Sequence, residues 1–396
     1  MNKPVLPTSS LSLKLPTAGR GIETYRLAAS RTFPSKLEGT LNRVAFSAAH
    51  VVADPLADVD PWLTSAIDWD RTIAFREHVW DLGLGVAEAM DTAQRGMGLD
   101  WPTSLELIER SVAAAKARGD ALVFSGAGTD HLALEDAKSL DDVIRAYEEQ
   151  IAAVEKVGGR IILMASRALA KIGRNPDDYA KVYNRVLSQV AEPVIIHWLG
   201  DMFDPALAGY WGSPDLDRAT ETLLGIVHEH AAKIDGVKIS LLAQHREIAM
   251  RRRFPKGVRM YTGDDFDYPT TIGGDAQGYS DALLGIFDVI APAAAAGLRA
   301  LDRGDRAEFE RVLLPTLPLS RHLFGDPTRF YKTGVVFMAY LNGHQDHFRM
   351  VGGMESARSV MHLARLFALA DQAHLFRDPE QAAERMRRVM AVAGVA

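Results

Sequence analysis

One lysine in this sequence lies among apolar neighbours. Lys238 stands in Ile234-Asp235-Gly236-Val237-Lys238-Ile239, a stretch that reads as a buried strand. Burial disfavours the ammonium form, and the neutral amine that results attacks carbonyl carbon. The imine so formed is an electron sink for making or breaking a carbon–carbon bond. Strand position alone leaves a structural role open, with the lysine paired to a carboxylate such as Asp264. A second set of polar residues follows apolar runs: His50, Asp91 with Thr92 and Gln94, Ser125 with Thr129 and Asp130, Ser166 with Arg167, His197, and Asp264 with Asp265. A third set is His344 and His347, three apart, with Asp346 between them. On a helix they would share a face and could hold a divalent ion with Asp91 or Asp264. The Asn342-Gly343 start favours a turn and a surface cluster instead. His228-Glu229-His230 reads as surface, because adjacent helix residues point apart.

These residues need a scaffold that brings distant segments together. Short apolar runs at 43–52, 83–90, 120–126, 159–166, 193–200, 234–240 and 257–263, with another near 277–280, read as strands. Helical spacing fills most of the gaps: 70–82, 103–117, 140–156, 176–190, 215–232 and 242–253. Strict alternation of this kind predicts a parallel sheet with helices outside. Eight units closing on themselves give an α/β fold, a (β/α)8 TIM barrel, whose site lies where the strands end. The polar residues above sit at those ends. Residues 1–42 form a Pro-, Ser- and Thr-rich leader, expected to wrap the surface in extended form. The barrel is expected over 43–284, and an all-helical extension over 285–396.

Composition removes other chemistries. There is no cysteine among 396 residues, so thiol nucleophiles, thiolate zinc sites and disulfides are out. A net charge of −6 argues against nucleic acid as a partner. The Arg251-Arg252-Arg253 run reads as a solvated helix end. No secretory signal is evident and no apolar stretch approaches the ~20 residues of a membrane helix, so the expectation is a cytoplasmic protein with no membrane partner. There is no P-loop, no complete Rossmann glycine fingerprint after a strand and no His-Glu-x-x-His helix.

The order of motifs resembles the dihydrodipicolinate synthase / N-acetylneuraminate lyase superfamily. Gly236-Val237-Lys238 is similar to its Schiff-base strand, and Tyr261-Thr262-Gly263-Asp264-Asp265 to the strand after it. Ala127-Gly128-Thr129 resembles its third-strand Gly-Thr-Gly segment, and Met90-Asp91-Thr92-Ala93-Gln94 stands where it has Gly-Thr-Thr-Gly-Glu. The resemblance covers roughly residues 43–330. It implies a class I aldolase or lyase on a (β/α)8 barrel, an imine at Lys238, no cofactor, a small-molecule carbonyl substrate, and a homo-oligomer, dimer or tetramer.

Three departures from that pattern matter. The family's strand-five tyrosine, a proton relay, is replaced by His197, followed by Trp198; histidine can also do acid–base work. Asp91 replaces a threonine that binds the carboxylate of a 2-keto acid, and a carboxylate there repels another one. The arginine that follows the tyrosine motif is missing, which leaves Arg167 as a replacement anion site. The resulting pocket of Asp91, Thr92, Gln94, Asp130, Arg167, Trp198, Asp264 and Asp265 suits a polyhydroxylated keto-sugar derivative better than pyruvate. Two other classes stay open: a barrel isomerase or hydrolase with a divalent metal on Asp and His ligands, and a catalytically silent, ligand-sensing barrel.

Overall fold

The computed structural model describes residues 8–19, 21–29 and 31–395. The first seven residues of the expected leader lie outside them. Strands β1 (Thr8–Pro16) and β2 (Ile22–Ala28) pair as an antiparallel ribbon. The remaining strands are β3 (Ala45–Ala48), β4 (Gly85–Glu88), β5 (Val123–Ala127), β6 (Arg160–Leu163), β7 (Val194–Leu199), β8 (Ile234–Ser240), β9 (Arg259–Thr262) and β10 (Asp281–Leu284). They pair in parallel, in chain order, and β10 closes on β3. The expected eight-stranded barrel is therefore present.

Helices α1 (Trp69–Asp81), α2 (Trp101–Arg118), α3 (Leu140–Lys156), α4 (Arg167–Ile172), α5 (Pro176–Gln189), α6 (Leu216–Glu229), α7 (Gln244–Arg251) and α8 (Tyr268–Gly273) connect the strands. Their starts follow ordinary capping chemistry. Ser139 and Asp142 close a capping box on α3, and the Asp100 carboxylate accepts from the Thr103 amide ahead of α2. Six helices follow the barrel: α9 (Ile286–Asp302), α10 (Arg306–Leu313), α11 (Leu317–Leu323), α12 (Tyr331–Leu341), α13 (Val360–Gln372) and α14 (Pro379–Val392). A 3-10 turn, Leu314–Thr316, joins α10 to α11, where Pro315 and Pro318 have no amide to donate to the preceding turn.

The last barrel strand falls after the expected 277–280. The glycine-rich stretch before it makes a turn instead, with Gly274 and Gly278 at φ of 71° and 134°. Arg251 and Arg252 clamp that turn through Asp275, at 3.2 and 2.9 Å, and Arg253 pairs with Glu221. The arginine run is thus tied to carboxylates.

Inside the barrel, Phe46, Phe124, Ile162, Ile195, Tyr261 and Leu283 fill the lower layers. A side chain at Gly236 would stand 2.6 Å from the Tyr261 ring, so this glycine makes room for it. Outside, a bidentate pair between Arg76 of α1 and Glu88 of β4 is fully buried, and Ser111 also donates to Glu88. The leader is extended over much of its described length, as a two-stranded ribbon. Its ribbon packs on the C-terminal helices, where Asp371 accepts from the Tyr25 hydroxyl and the Ala28 amide, both at 2.8 Å. Ribbon pairing satisfies backbone groups that an isolated extended strand would leave to water.

Candidate active site

Side chains along a strand alternate between the barrel interior and the helical layer. On β8 that rule places Val237 and Ile239 in the outer core and turns Lys238 inward. On β7 it turns His197 inward beside Ile195 and sends Trp198 outward. The two inward residues are register partners. Around the Lys238 side chain lie His197, Ser240, Asp91, Thr92, Asp265 and Tyr331, with Phe203 and Phe324 closing the space. The gap left among them is only about 10 Å³, the room of roughly one water.

The groups in this nest have unusual proton affinities. Burial pulls the Lys238 amine down to about 8, although Asp265 and Asp91 nearby oppose the shift. Burial pushes the Asp265 carboxyl upward, against the Ile286 amide that donates to it at 3.0 Å. His197 is held neutral, well below the usual imidazole range, by burial and then by the Lys238 charge. Its Nε2 lies 3.2 Å from the Ser240 hydroxyl. Tyr331, from the start of α12, is kept a neutral phenol by burial and by Asp91. Its hydroxyl meets the Thr92 hydroxyl at 2.8 Å.

Asp91 sits in an ion pair. The Lys332 amine, 2 % exposed in its side chain, is 2.7 Å from its Oδ1. The carboxylate therefore does not act as the bare negative charge expected from sequence.

A larger cleft of about 720 Å³ adjoins the nest and shares Asp91 and Leu199 with it. It runs over the ends of β4, β5 and β6. Asp100, Trp101, Asp130 and Asp204 line it. Its arginines are already paired: Arg95 grips Asp130 at 2.7 and 3.0 Å and Arg167 holds Asp204 at 2.5 Å; the His131 ring meets Glu149 at 2.8 Å. Arg167 is thus engaged by a carboxylate and does not stand as a free anion site. The Arg95 guanidinium also stacks on Trp101, 4.9 Å from its ring centre.

Several expected site residues lie elsewhere. Trp198 is buried in the outer core, its ring 6.2 Å from that of Trp211; the strand alternation that turns His197 inward excludes it. Gln94 has φ of 65°, which folds its amide back onto the carbonyls of Met97 (3.2 Å) and Val351 (2.9 Å). It holds a loop and lines neither space. Asp264 bends the chain, its Oδ1 accepting from the amides of Phe266 and Asp267. His344 and His347 do not share a helix face. His344 lies against His78, 4.7 Å between ring centres, and the His347 Nδ1 accepts from the Arg349 amide at 3.1 Å. Neither approaches Asp91 or Asp264 as a ligand set, and no group of three potential metal-ligating side chains converges among the described residues.

Tyr331, Lys332 and Ser240 were missed by sequence reasoning. A signal for the first two existed: α12 is buried along its whole length, and Lys332 is the one charged residue in Tyr331–Leu341. A charge in a helix that is apolar all round asks for a buried partner.

A closed parallel barrel with an inward lysine near the end of its sixth strand and a helical C-terminal extension defines the architectural class. The fold is that of the dihydrodipicolinate synthases, as the motif order had implied. It matches the structure of the 4-hydroxy-tetrahydrodipicolinate synthase from Methylacidiphilum fumariolicum at a TM-score of 0.62 and 15% identity, over 87% of this chain and 98% of that one. The dihydrodipicolinate synthase from Aquifex aeolicus matches at 0.57 and 15%, over 89% and 98%. YagE, a prophage protein of Escherichia coli belonging to the dihydrodipicolinic acid synthase family and solved in complex with pyruvate, matches at 0.62 and 12%, over 90% and 100%. At these identities the likeness is one of fold. In sequence, the chain belongs to the family described as protein of unknown function DUF993, whose model matches residues 13–395. No curated protein sequence matches it. Among the described residues no helix is long and apolar enough to cross a membrane.

Proposed function

We propose that this protein is a Schiff-base aldolase or lyase, with Lys238 as the amine that captures a carbonyl substrate. One observation carries the reading. Lys238 is a buried amine of lowered proton affinity, turned into a barrel mouth where a neutral imidazole and a hydroxyl pair await it.

The reaction starts with attack of the neutral amine on the carbonyl carbon, which gives a carbinolamine. Loss of water, with a proton delivered to the departing oxygen, gives the iminium ion. The Thr92–Tyr331 hydroxyl pair is suited to that delivery, because burial keeps Tyr331 protonated. Cleavage then breaks the bond one carbon further on. A base removes the proton of the β-hydroxyl, an aldehyde leaves, and the electron pair rests in the enamine. His197 and Asp265 are the two candidates for that base, and reprotonation and hydrolysis return Lys238.

For the substrate we propose a polyhydroxylated keto-sugar derivative that extends from the nest into the cleft. The cleft supplies carboxylates able to accept from hydroxyls, and its arginines are already spent on Asp130 and Asp204. A 2-keto acid would find no unpaired arginine for its carboxylate among the lining residues described, since Lys238 is the nucleophile. Trp101 offers an aromatic wall for sugar C–H groups. Borohydride reduction in the presence of keto-sugars and of 2-keto acids, with the mass shift mapped, tests both parts. An adduct on Lys238 with a keto-sugar is expected. Trapping of pyruvate there would keep the imine and overturn the substrate class, and no adduct at Lys238 with any compound would overturn both.

Two predictions follow from the nest. Only the neutral amine attacks, and its fraction grows as pH rises through about 8. The rate kcat/KM should therefore climb close to tenfold per pH unit below that value and level off above it. A profile flat from about pH 6 to 9.5 would remove the amine from the rate-determining chemistry. Tyr331→Phe removes the phenolic proton and leaves the ring packing on Phe324, 4.5 Å between centres. A loss of about 10²-fold in kcat is expected, while the Lys238 adduct still forms slowly. An unchanged kcat would reduce Tyr331 to a packing role.

A further inference from the structure

A second cavity, of about 280 Å³, lies outside the barrel. Its walls are residues 31–35 of the leader, α1, the first half of α9, the end of α12 and the loop before α14. It shares no residue with the nest or the cleft. By volume it is nearly twice the ~150 Å³ cavity that accepts a benzene ring, so a body of about ten heavy atoms fits.

The wall mixes apolar and polar residues. Phe33 and Phe376 are among its apolar residues, and Arg377, His78, His344 and Asp288 among its polar ones. Arg377 differs from the cations of the cleft, since it has no carboxylate partner among the described residues. Its side chain is 3.4 Å from the Asn342 carbonyl and its backbone amide donates to the Asn342 side chain at 3.1 Å. The Nε2 atom of His78 is buried without a hydrogen-bond partner. A buried polar atom left unpaired is unfavourable, and a hydrogen-bonding ligand at this wall would relieve it.

The charges select the ligand. Burial drives His78 to about 4 and His344 well below the usual imidazole range, so both rings are neutral and bring no positive charge. Arg31, the other arginine of the wall, is bound to Glu308 at 3.2 Å. Asp288 adds a carboxylate, with Oδ2 held by the ring and the amide of His50, both at 2.8 Å. One available guanidinium beside a fixed acid fits a single negative charge and opposes a dianion such as a phosphate monoester.

We propose that this cavity is a binding site for a small organic monocarboxylate with an apolar body, its carboxylate held by Arg377 and its body between Phe33 and Phe376. The site is independent of the imine chemistry.

Phenylacetate is a suitable probe, titrated into the full chain by calorimetry or followed by ligand NMR. Saturable one-to-one binding is expected. Phenylacetamide, of the same shape without the charge, should bind at least about tenfold more weakly, as should phenylacetate to Arg377→Gln. Arg377 is exposed, so that variant should fold, and Arg377→Lys should restore part of the affinity. Lys238→Ala should bind phenylacetate as the parent does. The proposal is overturned by an absence of saturable binding, by equal binding of the amide, or by binding that Arg377→Gln leaves intact. Binding lost in Lys238→Ala would assign the ligand to the barrel mouth and overturn it as well.

Discussion

Lys238→Ala is expected to abolish the borohydride-trapped adduct and to slow turnover at least about 10³-fold, since a covalent nucleophile has no substitute within the nest. Lys332, beside the nest, is held by Asp91 at 2.7 Å. The stability of the variant should not fall with its activity. A lysine buried with lowered proton affinity costs the fold free energy, and alanine removes that cost while opening a modest void. Thermal unfolding measured beside the rate separates the competing readings. A ligand-sensing barrel would show a change in stability and no loss of any turnover. A metal-dependent isomerase or hydrolase would keep activity in the variant and lose it to a chelator.

Lys332→Met should have the largest effect on stability among the site variants. It leaves the Asp91 carboxylate mostly buried, 18 % exposed in its side chain, without its partner. Breaking a buried pair from one side costs about 3–5 kcal/mol. The double variant Asp91→Asn with Lys332→Met should recover most of that loss, because no lone buried charge remains. A second effect accompanies the first. Asp91 already favours the charged form of Lys238, and without Lys332 its field on that amine is no longer offset. The pH–rate limb of Lys332→Met should therefore move to higher pH, with a lower rate at neutrality. Denaturant unfolding and a pH profile of the same protein check both. A variant as stable as the parent would show that the pair contributes nothing, and a limb that stays in place would show that Asp91 does not govern the amine.

Much of the barrel was legible because its signal is local. Seven strands and most of their helices follow from apolar runs and helical spacing that any short window contains. The eighth strand was displaced by a glycine turn whose clamp, Arg251 and Arg252 on Asp275, comes from another element. The placement of Lys238 and His197 close to the ends of apolar strands was legible too. Trp198 was misread although the needed rule is local: a neighbour of an inward residue on a strand must point outward. Gln94 and Asp264 could not be read from residue type, because a left-handed backbone and a tight turn commit their side chains to nearby backbone groups. Arg167 looked available until Asp204, from a different loop, was found to hold it.

The sequence alone determined the class of architecture, the absence of thiol chemistry and the position of one amine at a strand end. These depend on composition and on periods of two and 3.6 residues, which need no knowledge of distant neighbours. Only the tertiary structure decided the electrostatics of the mouth. Tyr331 and Lys332 are more than ninety residues from Lys238 in the chain and come to it because α12 packs across the barrel end. Their arrival turns Asp91 from a repelling charge into half of an ion pair and gives Thr92 a hydroxyl partner. Charge interactions fall with distance in space and take no account of separation along the chain, so the character of this site emerges only when the helical extension is folded onto the barrel.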